Sequence, residues 1–251
     1  MRIMSGAESV MKITNKEKGV LLLHGFTGNP FEMRYLGDRL LNADFSINIP
    51  RYAGHGTSIY DMVKTNRKQW IQSAREAYLE LSYHCRKVYV AGLSMGGLIT
   101  GLLSPEFDFE KIVIMSVPSC VKNKFYLTAP VLGKFKKIIN LPEGNNGIFE
   151  PEASANHINY GGQIPINQVW ELSRLINEFH KASSLIKSEV LIIQSAMDEV
   201  ITHDSADRIF KEIGSTSKTK LILEKSNHVI TRDYEKDIVA DAVIKFFNES
   251  F

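Results

Sequence analysis

Polar and apolar positions along the chain follow two alternating rhythms. Short, nearly continuous apolar runs occur at 20–23, 45–49, 88–91, 112–115, 190–193 and 221–223. Runs that are apolar on both faces and too short for helices predict strands of a mostly parallel sheet, covered by helices on each side. Between them the spacing lengthens to three or four residues. Met33, Leu36 and Leu40, then Trp70, Ala74, Ala77 and Leu81, mark the buried stripes of amphipathic helices over 33–41 and 70–83. A helix-like run follows at 97–103, and further helices are expected over 204–213 and 235–247. This alternation predicts the α/β class.

From about 118 to 185 the rhythm breaks. Turn signals at Ala129-Pro130, at 142–147, at Gly161-Gly162 and at Pro165 separate short apolar clusters at 125–127, 131–132, 148–149 and 169–176, with no clear buried strand. A cap insertion folded over the carboxyl edge of the sheet has this pattern. Its clusters either line a ligand pocket or pack the insertion onto the domain. The expected organisation is one domain, 1–251, with a cap insertion at approximately 118–185.

Composition removes several function classes. A formal net charge of +2 is too small to point to nucleic acid as a partner. The densest basic cluster, Lys134, Lys136 and Lys137, is interleaved with Phe135, Ile138 and Ile139 and reads as a solvated helix face. Cys85 and Cys120 lie far apart with no metal-ligand spacing, so neither a disulfide framework nor a metal site is expected. Residues 1–10 hold no apolar stretch of signal-peptide length, and no apolar run approaches the ~18 residues that would span a bilayer. The expectation is a cytoplasmic protein with no stable membrane insertion.

The candidate chemistry sits at Gly92-Leu93-Ser94-Met95-Gly96, a GxSxG pentapeptide between the strand-like run at 88–91 and the helix-like run at 97–103. A serine at the tip of a sharp strand-to-helix turn needs flanking glycines, whose missing Cβ atoms leave room for the turn. Its hydroxyl then stands exposed beside a helix N-terminus that favours negative charge. A serine hydroxyl is a weak nucleophile and needs a base oriented by a carboxylate. In GxSxG hydrolases the chain order is serine, acid, histidine. Of the histidines after Ser94, His157 and His180 fall in the insertion and His203 opens an expected helix. His228 follows the strand at 221–223 across a short polar link and precedes the last helix, which makes it the expected base. Asp198, in the turn after the strand at 190–193, is the expected acid, with Glu199 its adjacent rival. Asp204, Asp207, Asp233 and Asp237 read as acids at helix starts. Amide donors for an oxyanion are expected from Met95 and, in the loop after the first strand, from Phe26, whose ring is free to wall the pocket. His24 precedes the serine and reads as a structural hydrogen-bonding residue.

His24-Gly25-Phe26-Thr27-Gly28, Gly54-His55-Gly56, Gly92-Leu93-Ser94-Met95-Gly96-Gly97 and Asn227-His228-Val229 together resemble the bacterial carboxylesterase and monoacylglycerol lipase family of the α/β-hydrolase superfamily. The resemblance runs from roughly 19 to 247 and is weakest in the insertion. It implies the α/β-hydrolase fold with a small cap, Ser94, Asp198 and His228 as the triad, the Phe26 and Met95 amides as oxyanion hole, and a structural role for Gly54-His55-Gly56. Monoacylglycerol-cleaving relatives read glycerol with an acidic cap residue, whereas Ala155-Asn156-His157-Ile158-Asn159-Tyr160 carries no carboxylate; Glu150 and Glu152 lie nearby. The expected function is a serine carboxylesterase acting on short- to medium-chain acyl esters through an acyl-enzyme, with no metal or organic cofactor. Rival readings are a monoacylglycerol lipase, an acyl transferase sharing every residue, and a non-catalytic ligand-binding module on the same fold.

Overall fold

The computed structural model describes residues 2–120, 128–140, 144 and 146–249. The apolar cluster at 125–127 and most of the turn at 142–145 lie outside the described residues. Each apolar run forms a strand: β2 (Lys18–Leu23), β3 (Ser46–Ile49), β4 (Lys87–Leu93), β5 (Lys111–Met115), β8 (Glu189–Ser195) and β9 (Lys218–Leu223). A short edge strand, β1 (Val10–Lys12), pairs antiparallel with β3, and the other neighbours of the seven-stranded sheet are parallel, in the order β1-β3-β2-β4-β5-β8-β9.

Alternate strand residues feed two cores. Val20, Leu22, Val113, Met115, Leu191 and Ile193 pack beneath α1 (Phe31–Asn42) and α9 (Lys236–Asn248). Leu21, Leu23, Val90, Ile112, Ile114 and Ile192 face the opposite layer of α3 (Arg67–His84), α4 (Met95–Leu103), α7 (Ile166–Ala182) and α8 (Ser205–Glu212). This two-sided burial is why the strand sequences lack polar alternation. Edge strand β9 departs from it, since Ile222 is exposed. Helix α3 begins where a reciprocal cap demands it: the Asn66 side chain accepts from the Lys68 and Gln69 amides while Gln69 accepts from the Asn66 amide.

Between β5 and β8 the chain forms α5 (Ala129–Phe135), β6 (Ile138–Asn140), α6 (Pro151–Ala155), β7 (Gln163–Pro165) and α7, with β6 and β7 paired as a small antiparallel ribbon. Where the sequence shows only an apolar cluster at 169–176, the structure has the 17-residue α7. Ile166, Leu175, Ile176 and Phe179 form its buried stripe, and the Phe179 ring fills the space beside Gly101 of α4, where a Cβ would come within 2.3 Å. The basic cluster is not one helix face: Lys134 lies on α5, but Lys136 is its C-cap and Lys137 precedes β6, all three exposed. Short helix α2 (Ile59–Met62) completes the described elements.

The strand order reverses between β2 and β4: from β2 the chain moves outward to β3, then returns to β4 on the other side. Loops leaving the carboxyl ends of those two strands therefore diverge across a crevice, the place where open α/β sheets bind ligands.

Candidate active site

Ser94 occupies that crevice. Its backbone, at φ 53° and ψ −115°, lies in a region that L-residues avoid, and α4 starts at the next residue. Two glycines make this turn possible by space. A Cβ on Gly92 would come within 2.3 Å of the Gly96 carbonyl oxygen, and one on Gly96 within 2.1 Å of the Leu23 carbonyl oxygen. The Ser94 amide is secured by the Met115 carbonyl of neighbouring β5 at 2.7 Å.

Three of the residues singled out from the sequence form one hydrogen-bonded chain. Ser94 Oγ donates to His228 Nε2 over 2.9 Å, and His228 Nδ1 donates to Asp198 Oδ2 over 2.8 Å. Asp198 is fully buried, and its other oxygen accepts from the Val200 and Ile201 amides at 2.8 and 3.1 Å. Burial pushes this carboxyl up, but the facing imidazole and these hydrogen bonds outweigh it and hold Asp198 below the ordinary carboxylate range. The carboxylate therefore stays charged and keeps the His228 proton on Nδ1, leaving Nε2 as acceptor toward the serine. Glu199, its neighbour, turns away to Asn227: the Asn227 amide group donates to Glu199 Oε2 at 3.0 Å and Asn227 Oδ1 accepts from the Glu199 amide at 3.0 Å.

The loop presenting His228 is held by two further carboxylates. Asp233 is completely buried and accepts from the Asn227, Phe149, Glu150 and Tyr234 amides, at 2.6 to 2.9 Å. Glu235 accepts from the Glu224, Lys225 and Ser226 amides and from the Ser226 hydroxyl. Asp233 is thus a clamp between the His228 loop and the segment at 149–150, not a helix-start acid; α9 begins three residues later. Asp237 does lie in the first turn of α9, where it pairs with Arg39.

Met95 is the first residue of α4, so its amide belongs to the first turn, where no intrahelical acceptor exists. Phe26 leaves the end of β2, whose Leu23 pairs with Gly92 of β4, and its ring lines the cavity 5.8 Å from the Trp70 ring. His24, fully buried, bonds the Gly25 carbonyl through Nδ1 at 3.0 Å, and burial with neighbouring His55 keeps it neutral. Gly54 and Gly56 adopt φ of 75° and 61°, conformations that favour glycine. The Gly54 carbonyl accepts from the Tyr160 hydroxyl at 3.3 Å, fastening the segment between β5 and β8 to this loop. Of the remaining histidines, His180 contacts Glu212 and the Ser119 carbonyl, and His203 is exposed.

Ser94 and His228 open into a cavity of about 470 Å³ whose wall includes Pro118, Ile164, Leu172, Ile176 and Val229. One member of that wall escaped the sequence reading. Glu32, in the first turn of α1, is buried and accepts from the Gly25 amide at 2.9 Å. Burial pushes its carboxyl up to about 7, against the Gly25 hydrogen bond and the charges of His228 and Arg232. His157 Nε2 stands 3.7 Å from Glu32 Oε1, and burial with the Arg232 charge pushes that imidazole down to about 4. His157 is neutral at pH 7, so the contact is not an ion pair. An acid one residue into a helix reads in sequence as a helix-dipole partner, which is why Glu32 gave no signal. Among the described residues, no group of three or more His, Cys, Asp or Glu side chains is arranged to hold a metal ion, and no helix is long and apolar enough to cross a membrane.

Residues 14–235 match the family model described as serine aminopeptidase, S33. The chain belongs to this hydrolase family. It is 32% identical over 245 residues to the thermostable monoacylglycerol lipase of Bacillus sp. (strain H-257), covering 98% of this chain and 96% of that one. It is 30% identical over 237 residues to the carboxylesterase of Bacillus subtilis (strain 168), covering 93% of each. A solved structure from the work on LipS and LipT, two metagenome-derived lipolytic enzymes, superposes with a TM-score of 0.90 at 26% identity, covering 99% of this chain and 100% of that one. The hydrolase has the α/β-hydrolase fold, as the sequence resemblance implied.

Proposed function

We propose that this hydrolase is a serine carboxylesterase that cleaves short- to medium-chain acyl esters through an acyl-enzyme. The observation that carries this reading is the unbroken Ser94–His228–Asp198 hydrogen-bond chain, 2.9 and 2.8 Å long, at the mouth of a largely apolar cavity. His228 Nε2 takes the Ser94 proton as Oγ attacks the ester carbonyl, and the positive charge formed on the imidazole is balanced by buried Asp198. The tetrahedral oxyanion is received by the Phe26 and Met95 amides, the latter reinforced by the N-terminus of α4. As the intermediate collapses, His228 returns the proton to the leaving alcohol; it then deprotonates a water that attacks the acyl-Ser94 ester. The segment at about 118–185 acts as a cap that supplies much of the acyl-binding wall. The partner is a small ester rather than nucleic acid, in keeping with a net charge of +2, and two unpaired cysteines support a cytoplasmic location.

The test is labelling with a fluorophosphonate probe, followed by assay of a series of nitrophenyl esters of increasing acyl length. Labelling at Ser94 with turnover of the shorter esters is expected. Folded protein that neither labels nor turns over would instead be a ligand-binding module. Product analysis with competing alcohols separates hydrolysis from acyl transfer.

A further inference from the structure

The peptide that carries the Phe26 amide is held from behind by a histidine that the triad does not use. In a trans peptide the carbonyl of one residue and the N–H of the next lie in one plane and point in opposite directions. The Gly25 carbonyl, which shares its plane with the Phe26 N–H, accepts from His24 Nδ1 at 3.0 Å and from the Gly28 amide at 3.3 Å. The preceding peptide is fixed as well, since the Gly25 amide donates to Glu32 at 2.9 Å. Among the described residues the Phe26 amide donates to nothing. Gly25 lies against Ser94, where a Cβ would come within 3.6 Å of the serine Cβ.

A carbonyl only accepts, so His24 carries its hydrogen on Nδ1, and burial keeps the ring neutral. Its Nε2 is then a bare acceptor. His55, in the Gly54-His55-Gly56 turn, repeats the arrangement. Its Nδ1 donates to the Ala53 carbonyl at 3.2 Å, burial pushes the imidazole down to about 4, and Nε2 again is an acceptor. The Tyr52 ring lies 4.2 Å from the His24 ring and 5.6 Å from the His55 ring, and the two imidazoles are 5.3 Å apart. All three residues are fully buried, and His24 Nε2, His55 Nε2 and the Tyr52 hydroxyl have no hydrogen-bond partner among the described residues. The single hydrogen of the tyrosine hydroxyl cannot serve two acceptors. A water molecule can, since it donates to both imidazoles and accepts from the tyrosine.

We propose that His24 is a positioning residue for the oxyanion hole: it turns the Gly25–Phe26 peptide so that the amide faces the ester carbonyl at Ser94, and a buried water shared with Tyr52 and His55 holds the imidazole in the tautomer this requires. The inference rests on the ester-hydrolysis reading above. Loss of the Nδ1 donor frees that peptide to rotate, which weakens stabilisation of the tetrahedral oxyanion more than binding of the planar ester. A hydrogen bond at the carbonyl also polarises the peptide and strengthens its N–H as a donor. No bond is made or broken at His24.

The experiment measures kcat and KM for nitrophenyl butanoate, and inhibition by propyl trifluoromethyl ketone, which adds to Ser94 and develops the same oxyanion. His24→Leu should lower kcat about a hundredfold and weaken the ketone by a similar factor, with KM changed by less than about threefold. His24→Asn, whose side-chain amide can replace the Nδ1 donor, should recover most of both losses. Tyr52→Phe should lower kcat and ketone affinity together by about threefold to tenfold. Nitrogen NMR of the wild-type enzyme with isotope-labelled histidine needs no substitution and keeps the test open if His24→Leu does not fold. His24 should show the Nδ1–H tautomer with Nε2 accepting a hydrogen bond, and a high-resolution crystal structure should show a water between the three side chains. An Nε2–H tautomer, no water at that place, or variants that melt earlier while kcat and ketone affinity stay at wild-type values overturn the proposal and leave ester hydrolysis standing. Wild-type enzyme that neither turns over the ester nor labels at Ser94 overturns the function on which the proposal rests.

Discussion

Ser94 combines a strained backbone with a hydroxyl aimed at His228, and each feature has its own consequence. Ser94→Ala keeps the turn, because alanine tolerates φ 53° about as poorly as serine does, but removes the proposed nucleophile. Turnover of a short-chain nitrophenyl ester should vanish with the melting temperature nearly unchanged; a near-normal rate would refute the assignment. Asp198→Asn leaves the shape but lets the imidazole adopt the wrong tautomer, and kcat should drop by roughly 10⁴ by analogy with measured triads. Glu199→Gln, which alters a contact to Asn227 rather than to His228, should cost far less in the same assay. Ser94, Asp198 and His228 were legible as candidates because a GxSxG serine calls for an acid and a histidine in a set chain order. Glu32 was not, since its burial follows from how α1 meets the loop at 24–28 and leaves no trace in residue spacing.

The turn between β4 and α4 and the loop between β9 and α9 carry Ser94 and His228, the proposed nucleophile and base, and both depend on close backbone packing. Gly96→Ala would press a methyl group onto the Leu23 carbonyl oxygen at 2.1 Å, a backbone contact that no rotamer relieves. Loss of Ser94 labelling together with a lowered urea midpoint is expected. Asp233→Ala leaves the buried Asn227 amide and the half-buried Phe149 and Glu150 amides without their acceptor, and should cost about 3 kcal/mol in chemical denaturation. Its kcat should fall as well, because the same carboxylate fixes the His228 loop. Among the helices, α3 announced itself through its spacing and its cap. The seventh helix carries an equally regular stripe from Ile166 to Phe179, but it lies amid turn-forming residues, which hid its period. The edge strand at Val10–Lys12 had no pattern to read: three half-buried or exposed residues become a strand only because β3 offers them unpaired backbone.

The stability of the folded enzyme should carry the mark of a single buried acid. Glu32 is raised from 4.5 to about 7 by folding, so the native state holds this proton more tightly than the unfolded chain does. Its contribution is absent below about pH 4.5 and grows into a penalty as pH rises toward 7, of about 3 kcal/mol at full ionisation. Thermal melts of Glu32→Gln against wild type should therefore coincide near pH 4 and separate above pH 7, with the variant the more stable. Equal melting temperatures at pH 8 would show that the acid is not buried as described.

Local chemistry along the chain dictated the strands, the amphipathic helices and the serine turn, because burial on two faces, helical period and glycine spacing are properties of neighbouring residues. It also ordered serine, acid and histidine. The meeting of those residues is another matter. Leu23 pairs with Gly92 across the reversal in strand order, and this places the 24–28 loop beside Ser94; a loop 134 residues further on brings His228 within 2.9 Å of the same hydroxyl. Long-range packing also drew Glu32 from one helix and His157 from a distant loop into one wall. The hydrolytic chemistry was thus readable from short motifs, whereas the wall of the cavity around it depends on side chains made neighbours only by the folding of the chain.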